Sequence, residues 1–342
     1  MWGESTSSNT TVAGTENDIE IVDTPNSIVS AMEFSPFQTI RRSFLATSYH
    51  DLTVRIWEVR RSRKIERKLA IALPALVLDV SWSIDGKGFY MASGDNKLKF
   101  LDLENSTLMC RSRECHIAPV KTCNAIKESN YKNCVMTGSW DKTMKIWDPR
   151  CIVPVVTILF SDKIACADVD DTMMVVCTEQ GRISVYELGN SIQMVKELIT
   201  PLQSEPSCVA IFRDRITGKP AGFTIGTLEG YMFTLYMIDN PNYVALVLRG
   251  DVATNVTMTP SIKTNTAIND VKFHPVHHTL AVTRSNGHCS FYNTEPNRIS
   301  MLSDKLCQLP IMKCCFNKDG KIFAYNTGHN ISKYKILTRK QF

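Results

Sequence analysis

The chain of 342 residues predicts an all-β fold built from repeated four-stranded sheets, and three observations support that prediction. Residues 134–150 read CVMTGSWDKTMKIWDPR, in which two apolar runs with period-two alternation flank a polar tight turn. Copies of this hairpin recur along the chain at intervals of roughly 40 to 60 residues. A short apolar strand precedes each copy. Because one hairpin cannot bury its apolar face alone, we expect the copies to form a ring, a seven-bladed WD-repeat β-propeller.

The hairpin copies share a fixed spacing between the turn and the end of the second strand. In the central hairpin Asp141 stands six residues before Trp147, and Asp51 stands in the same way before Trp57. The other copies keep the turn but have leucine or tyrosine in the tryptophan position. They lie at 92–101, 177–186, 226–235, 283–292 and, in a distorted form, 324–334.

The strands that precede the hairpins are expected to be the innermost strand of each blade. They lie at 29–34, 77–82, 120–125, 164–169, 208–212, 268–273 and 311–316. Residues 18–23, DIEIVD, alternate as a strand without a hairpin of their own. We expect this strand to join the last blade from outside and to close the ring, which leaves no open sheet edge. The predicted domains are a disordered tail at 1–17, one propeller at 18–337 and a short basic tail at 338–342.

Composition narrows the classes of protein to which the chain can belong. Hydrophobic residues make up 44% of it, as in a globular protein, and the net charge of +5 does not by itself indicate nucleic-acid binding. The twelve cysteines are scattered through apolar strands, which favours a reducing compartment over a disulfide-linked secreted protein. There is no signal peptide, and no apolar run approaches the length of a membrane span, so no membrane insertion is expected.

Enzyme and metal motifs are missing from the sequence. It contains no P-loop, no G-x-S-x-G and no H-E-x-x-H, so we expect neither catalytic residues nor enzyme activity. His274, His277 and His278 lie close together, but no cysteine or carboxylate completes the spacing of a metal site. We therefore expect neither a bound metal nor another cofactor.

Polar residues of the third repeat predict a buried structural network. His116, which precedes the first strand of that blade, is expected to bond the turn residue Asp141, the strand hydroxyl of Ser139 and the indole of Trp147. A buried Asp–His pair whose polar atoms are all bonded fixes a blade and performs no chemistry. The structural interpretation is therefore favoured over a catalytic one.

Two surfaces carry candidate binding residues. The hairpin turns present Tyr49, Trp140, Glu229 and Tyr231 on one face of the ring, and exposed aromatic residues beside charges suit peptide binding. A basic patch is predicted on the opposite face, because the loops that carry it emerge on the same side of a blade. Phosphate contact, non-specific and sensitive to salt, is one interpretation of this patch, and an ordinary solvated surface is the other. The patch consists of Arg41, Arg42, Arg60, Arg61, Arg63 and Lys64.

Four stretches resemble the messenger-RNA export factor family of WD-repeat proteins, in order from about Asp18 to Tyr325. They are CVMTGSWDKTMKIWD from Cys134, CVAIF from Cys208, FHPVHHTLAV from Phe273 and CCFNKDGKIFAY from Cys314. The resemblance implies a propeller without catalysis that binds the GLEBS hairpin of an FG nucleoporin and associates with messenger ribonucleoprotein or RNA. It also implies a location in the nucleus, at the nuclear pore of the envelope, and in the cytoplasm.

The chain departs from the family pattern on the proposed contact surface. Tyr231 stands where the family usually has an arginine that contacts an acidic residue of the nucleoporin hairpin, and Ser48-Tyr49 replaces a Ser-Trp pair. Two other functions use this fold, which alone does not determine function. One is a spindle-checkpoint adaptor that binds a GLEBS-like hairpin in checkpoint kinases, and the other is a substrate-receptor subunit of a ubiquitin ligase. The stretches CVMTGSWDKT and FHPVHHTLA favour export.

Overall fold

The computed structural model describes the chain from residue 18 to residue 336, with gaps, and every strand in the described part belongs to an antiparallel sheet. Among these residues no helix is both long enough and apolar enough to cross a membrane. The tails predicted at 1–17 and 338–342 lie outside the described residues. The gaps are residues 22, 40–41, 61, 63, 111–114, 128, 201–202, 238–245, 250–251, 255–265, 278, 296–297 and 329–330.

The described part begins with the short strand β1 (Asp18–Glu20), and the described strands together form seven sheets. The first sheet contains β2 (Val29–Thr39), β3 (Arg42–Tyr49), β4 (Thr53–Arg60) and β5 (Ile65–Ala72). The second contains β6 (Val77–Trp82), β7 (Gly88–Ser93), β8 (Leu98–Asp102) and β9 (Thr107–Cys110). The third contains β10 (Val120–Ala125), β11 (Val135–Ser139), β12 (Thr143–Trp147) and β13 (Val156–Leu159).

The remaining sheets follow the same order of strands from the inside to the outside. The fourth contains β14 (Ile164–Asp170), β15 (Met173–Thr178), β16 (Arg182–Leu188) and β17 (Ile192–Ile199). The fifth contains β18 (Pro206–Arg213), β19 (Pro220–Thr227), β20 (Tyr231–Tyr236), β21 (Leu246–Arg249) and β22 (Val252–Thr254). The sixth contains β23 (Ile268–Phe273), β24 (Thr279–Arg284), β25 (His288–Glu295) and β26 (Arg298–Leu306). The seventh contains β27 (Cys314–Phe316), β28 (Ile322–Thr327) and β29 (Ile331–Ile336), with β1 outermost.

The innermost strands pack against one another in a closed cycle. Each contacts the innermost strand of the next sheet, and the last of them, β27, contacts β2. The hydrophobic core lies between neighbouring sheets: Val54 and Ile56 of β4, for example, pack with Trp82, Phe89 and Met91 of the second sheet. Strands such as β7 are buried along their whole length, because both faces of a sheet are covered. The prediction of an all-β propeller is confirmed.

The first strand closes the ring. Strand β1 pairs with β29, with Asp18 opposite Lys335 and Glu20 opposite Lys333. The carboxylate of Asp18 contacts Lys305 of β26 and accepts a hydrogen bond from Tyr325 of β28, so it joins the sixth and seventh sheets. The expected closure is therefore confirmed. The expected span of 18–23 was too long: pairing ends at Glu20, and the chain turns at Asp23, which has a positive φ of 65°.

A repeated hydrogen bond ties each of several innermost strands to the next. A carboxylate on one innermost strand accepts a backbone N–H from the innermost strand of the following sheet, at 2.8–3.1 Å. These bonds satisfy donors at the inner sheet edge, which has no further strand to pair with. The four carboxylates line the central channel. The pairs are Glu33 with Trp82, Asp79 with Cys123, Asp168 with Ile211, and Asp270 with Cys314.

Candidate binding face and its supporting network

A buried network of polar side chains supports the tight turn of the third sheet. His116 Nδ1 lies 2.8 Å from Asp141 Oδ2, and His116 Nε2 lies 2.8 Å from the hydroxyl of Thr137. The same hydroxyl accepts the indole N–H of Trp147 at 2.8 Å. Asp141 also accepts the N–H and hydroxyl of Thr143 at 2.9 and 2.6 Å. The network thus joins the turn, the neighbouring strands and the segment that leads into the sheet.

The donors in this network determine where the imidazole proton lies. Trp147 can only donate, so Thr137 accepts from it and has its own hydroxyl proton available for His116 Nε2. A neutral His116 therefore carries its proton on Nδ1 and donates it to Asp141. Burial lowers the pKa of His116, although the charge of Asp141 opposes that shift. Burial disfavours the Asp141 carboxylate, but the hydrogen bonds from Thr143 and His116 outweigh it and hold its pKa below the usual value.

Ser139 does not occupy the position that the sequence analysis assigned to it. Thr137 bonds His116 and Trp147 instead, and Ser139 Oγ lies 3.1 and 2.9 Å from the carbonyl oxygens of Ala118 and Pro119. It also accepts the N–H of Asp141 at 3.0 Å. The predicted Ser139 contact was wrong, because Ser139 adjoins the turn and binds the connecting segment.

The four residues predicted to bind a peptide differ in exposure. Glu229 is exposed and Trp140 is half-buried. Tyr49 is only 1% exposed, with the guanidinium of Arg55 5.7 Å from the centre of its ring, and Tyr231 is 9% exposed. The expectation that both tyrosines are exposed contact residues was wrong. Each lies at the inner end of a tight turn, where its ring packs into the core instead of projecting from the face.

A cleft of about 400 Å³ opens at the channel mouth, on the face of the hairpin turns. Trp140 forms part of its wall, together with Lys121 at the start of β10 and Lys313 just before β27. Glu179 and Glu205 line another part of it. Neither lysine was among the predicted site residues, although Lys121 directly follows the first apolar residue of an inner strand. The cleft combines a large aromatic side chain with separated charges of both signs.

The basic patch of the opposite face is only partly described. Arg41, Arg61 and Arg63 lie outside the described residues, as does the side chain of Arg42. Arg60 donates to the carboxylate of Glu58 at 2.7 Å, and Lys64 pairs with Glu66 at 2.9 Å.

These two acidic partners change the chemistry of the patch. Glu58 is 2% exposed, and the hydrogen bond from Arg60 keeps its pKa below the usual value despite burial. Neither carboxylate was included in the predicted patch, although both lie within or beside the basic run of the sequence. Because Arg60 and Lys64 are already paired, the described part of this patch is less available to phosphate than its composition indicates.

His274 of the histidine group has a structural environment. It is buried; its Nε2 lies 3.0 Å from the carbonyl oxygen of Gly320, and its Nδ1 accepts the N–H groups of Val276 and His277. His277 is exposed, and His278 lies outside the described residues. Because a neutral imidazole has one donor and one acceptor nitrogen, these contacts occupy both nitrogens of His274.

Comparisons with known proteins place the chain among WD-repeat proteins. Residues 110–148 match the family described as WD domain, G-beta repeat. Protein Rae1 of Drosophila melanogaster is 38% identical over 324 residues, which are 93% of this chain and 89% of that protein. The mRNA export factor of Xenopus tropicalis is 35% identical over 92% of this chain and 84% of its own length. That of Sus scrofa is 37% identical over 97% and 88%.

Solved structures show the fold at much lower identity. The structure of U3-55K has a TM-score of 0.74 at 13% identity and covers 94% of this chain and 98% of that one. A chain in the crystal structure of the Mitotic Checkpoint Complex has a TM-score of 0.72 at 13% identity and covers 99% of each. These two likenesses concern the fold alone. The identity to curated relatives along nearly the whole length shows that the chain belongs to the mRNA export factor (Rae1) family of WD-repeat proteins.

Proposed function

We propose that the chain is a non-enzymatic adaptor in messenger-RNA export, a seven-bladed propeller that binds the GLEBS hairpin of an FG nucleoporin. The observation that carries this proposal is 35–38% identity, over more than nine tenths of the chain, to proteins named Rae1 and mRNA export factor. Such an adaptor works in the nucleus, at the nuclear pore of the envelope, and in the cytoplasm. It acts by holding partners together.

The face of the hairpin turns is where we place the nucleoporin peptide. Trp140 offers a large side chain beside a cleft, and the exposed Glu229 adds charge. Ile117 and Leu228 contribute apolar surface on the same face, where they are 90% and 45% exposed. Large side chains on a rigid ring lose little entropy when a peptide covers them, so they suit the centre of an interface.

Titration calorimetry with a synthetic GLEBS peptide tests this placement. Trp140→Ala should weaken binding roughly tenfold or more, as is typical when a central aromatic residue of an interface is removed. Lys87→Ala is the matched control, because Lys87 is exposed in a turn at the opposite end of the ring. Equal affinities for wild type and Trp140→Ala would contradict the placement. In a separate pull-down from cell extract, exclusive capture of a checkpoint kinase or a cullin-linked adaptor would favour one of the two other functions.

Association with messenger ribonucleoprotein or RNA is the second part of the proposal. Glu66 pairs with Lys64 at 2.9 Å and Lys68 at 2.9 Å, so it neutralises cations of the basic patch. Glu66→Gln should therefore tighten binding of a labelled oligouridine several-fold and steepen its dependence on salt. Fluorescence anisotropy at two salt concentrations measures both effects, with Glu104→Gln as a control at a separate ion pair. Identical binding by the two variants would exclude this patch as the RNA contact.

A further inference from the structure

The cleft at the channel mouth holds charged groups that have no partner. Lys121 and Lys313 line it, and neither ammonium group makes a hydrogen bond or ion pair within the described part of the chain. The indole N–H of Trp140 is buried without an acceptor. Neighbouring polar groups are satisfied: Ser30 donates to the carbonyl of Val77 at 2.6 Å. Because a buried donor without an acceptor costs free energy, the indole of Trp140 favours a ligand that can accept its hydrogen bond, and the two ammonium groups can bind an anion.

Acidic side chains in the same cleft are kept apart from these lysines. Glu205 forms no ion pair among the described residues, although it lines the cleft together with Lys121. Glu179 has only a long contact of 3.8 Å with Lys163. The exposed Glu229 lies close by, since one of its carboxylate oxygens is 3.5 Å from the backbone nitrogen of Glu205. Among the described residues, the lysines and glutamates that line the cleft therefore form no ion pair with one another.

The pKa values of these lysines and of Glu205 are shifted by burial and by neighbouring charges. Burial, followed by the nearby charge of Lys313, lowers the pKa of Lys121. Burial, followed by the charges of Glu179 and Glu229, raises the pKa of Glu205. Burial opposes the charge on Lys313, but the charges of Asp270 and Asp79 together outweigh it and raise the pKa of Lys313. An anion near the lysines and a cation near Glu205 would both be stabilised, because each would lie beside a group of opposite charge that has no ion-pair partner among the described residues.

We propose that this cleft is a two-sided socket that receives an acidic side chain of a bound peptide at Lys121 and Lys313, and a neighbouring basic side chain at Glu205 and Glu179. The occupant is thus a peptide segment in which residues of opposite charge stand side by side. The inference rests on the proposed function, because it assigns the cleft to the peptide that docks on this face. The socket fixes the direction of the peptide, since reversing the segment would bring like charges together.

The first experiment titrates one GLEBS peptide into the full-length protein and its variants. Lys121→Gln and Lys313→Gln should each weaken binding about five- to tenfold and reduce its dependence on salt. Both variants should fold, because the ammonium groups they remove have no partner. Glu205→Gln should also weaken binding, because it removes the carboxylate that would face the basic side chain of the peptide. Lys87→Gln, a lysine at the opposite end of the ring, is the matched control and should bind as wild type does.

The second experiment follows the lysines directly in the unmodified protein. Acetic anhydride labels lysine side chains, and mass spectrometry compares their labelling with and without saturating GLEBS peptide. Lys121 and Lys313 should be protected several-fold more than Lys87. If the peptide binds and Trp140→Ala weakens it, while the lysine variants and the labelling show no effect, the socket is overturned and the adaptor function stands. If the peptide does not bind wild type at all, the adaptor function fails and the socket fails with it.

Discussion

The first and third sheets have the same spacing between turn and tryptophan, but their polar atoms are connected differently. In the first sheet the indole of Trp57 donates to the hydroxyl of Thr47 at 2.9 Å. Separately, the exposed Asp51 accepts the N–H and hydroxyl of Thr53 at 2.9 and 2.7 Å. These are two independent pairs, one in the core and one at the surface.

In the third sheet a histidine from the connecting segment joins the two halves. His116 contacts both Asp141 and Thr137 at 2.8 Å, and the side chains of His116 and Asp141 are 0% and 3% exposed. The comparison shows that the spacing of aspartate and tryptophan places one polar pair at the turn and one in the core. The spacing does not connect these two pairs. The residue supplied by the preceding segment decides whether they become one buried network.

The second sheet replaces the histidine with a buried cation. Lys99, which is 5% exposed, pairs with Asp95 at 2.7 Å and donates to Ser93 at 3.1 Å. The turn aspartate is again tied to a strand, but by a charge from within the hairpin itself. A tight turn in this fold therefore tolerates different partners for its aspartate, and in Asp95 one carboxylate oxygen, Oδ1, is buried without a hydrogen-bond partner.

Removing the histidine should convert the third sheet into the arrangement of the first. His116→Ala leaves one oxygen of Asp141 and the hydroxyl of Thr137 with a missing partner in a buried site. The free energy of unfolding should fall by about 1–3 kcal/mol, the usual cost when a buried polar group loses its partner. Urea denaturation followed by tryptophan fluorescence measures the change.

The matched control for that variant is His50→Ala, since His50 is an exposed histidine in the tight turn of the first sheet. Its effect should stay within about 0.5 kcal/mol, as for most surface substitutions. Equal losses for the two histidine variants would show that the buried network does not stabilise the third sheet more than an ordinary turn.

A smaller loss of stability is expected when the threonine hydroxyl that accepts the tryptophan N–H is removed from each sheet. Both valine variants lose the bond from the tryptophan indole and a long contact of 3.5 or 3.4 Å to a strand carbonyl. Thr137→Val also loses the bond to His116, which Thr47→Val does not. At about 1 kcal/mol for each bond, the losses should be about 2 and about 1 kcal/mol. Thermal melting of the two variants under one buffer condition gives the comparison, and equal losses would contradict the linked network.

Sequence patterns predicted the elements of the fold because each depends on local periodicity. The turn of the central hairpin, the inner strands and the closing strand at Asp18 all follow from alternation of apolar residues. The same alternation cannot choose between Thr137 and Ser139, since residues two positions apart share one face of a strand. Their roles differ only because Ser139 adjoins the turn, which tertiary packing positions.

Partners from other sheets were not predicted from the sequence. The carboxylates that accept a hydrogen bond from the next inner strand do have a local signal, since an aspartate directly precedes a valine at positions 79, 168 and 270. Tyr49 was predicted to be exposed from its place near a turn, but that position points inward, as Ser93 and Ser139 also do. Burial at such a position depends on the neighbouring sheet, and no local pattern contains that information.

The smallest expected effect is a dependence of stability on pH, which His116 gives to the third sheet. Burial lowers the pKa of His116 in the folded protein, whereas the unfolded chain takes up a proton near the ordinary value of about 6.5. Below that pH the unfolded state binds more protons, so the stability from this group is complete at higher pH and is lost as the pH falls. The first sheet has no histidine in its tryptophan–threonine pair and should contribute no such dependence.

Comparing wild type with His116→Gln isolates this contribution. Between about pH 7.5 and about pH 5.5, wild type should lose about 1 kcal/mol more of its free energy of unfolding than the variant does. Glu33 acts in the opposite sense, because burial raises its pKa to about 7 and the folded protein binds its proton first. That effect is common to both proteins and cancels in the difference. If urea denaturation shows the same pH dependence in both, His116 is not held neutral, and its link between Asp141 and Thr137 does not distinguish the third sheet from the first.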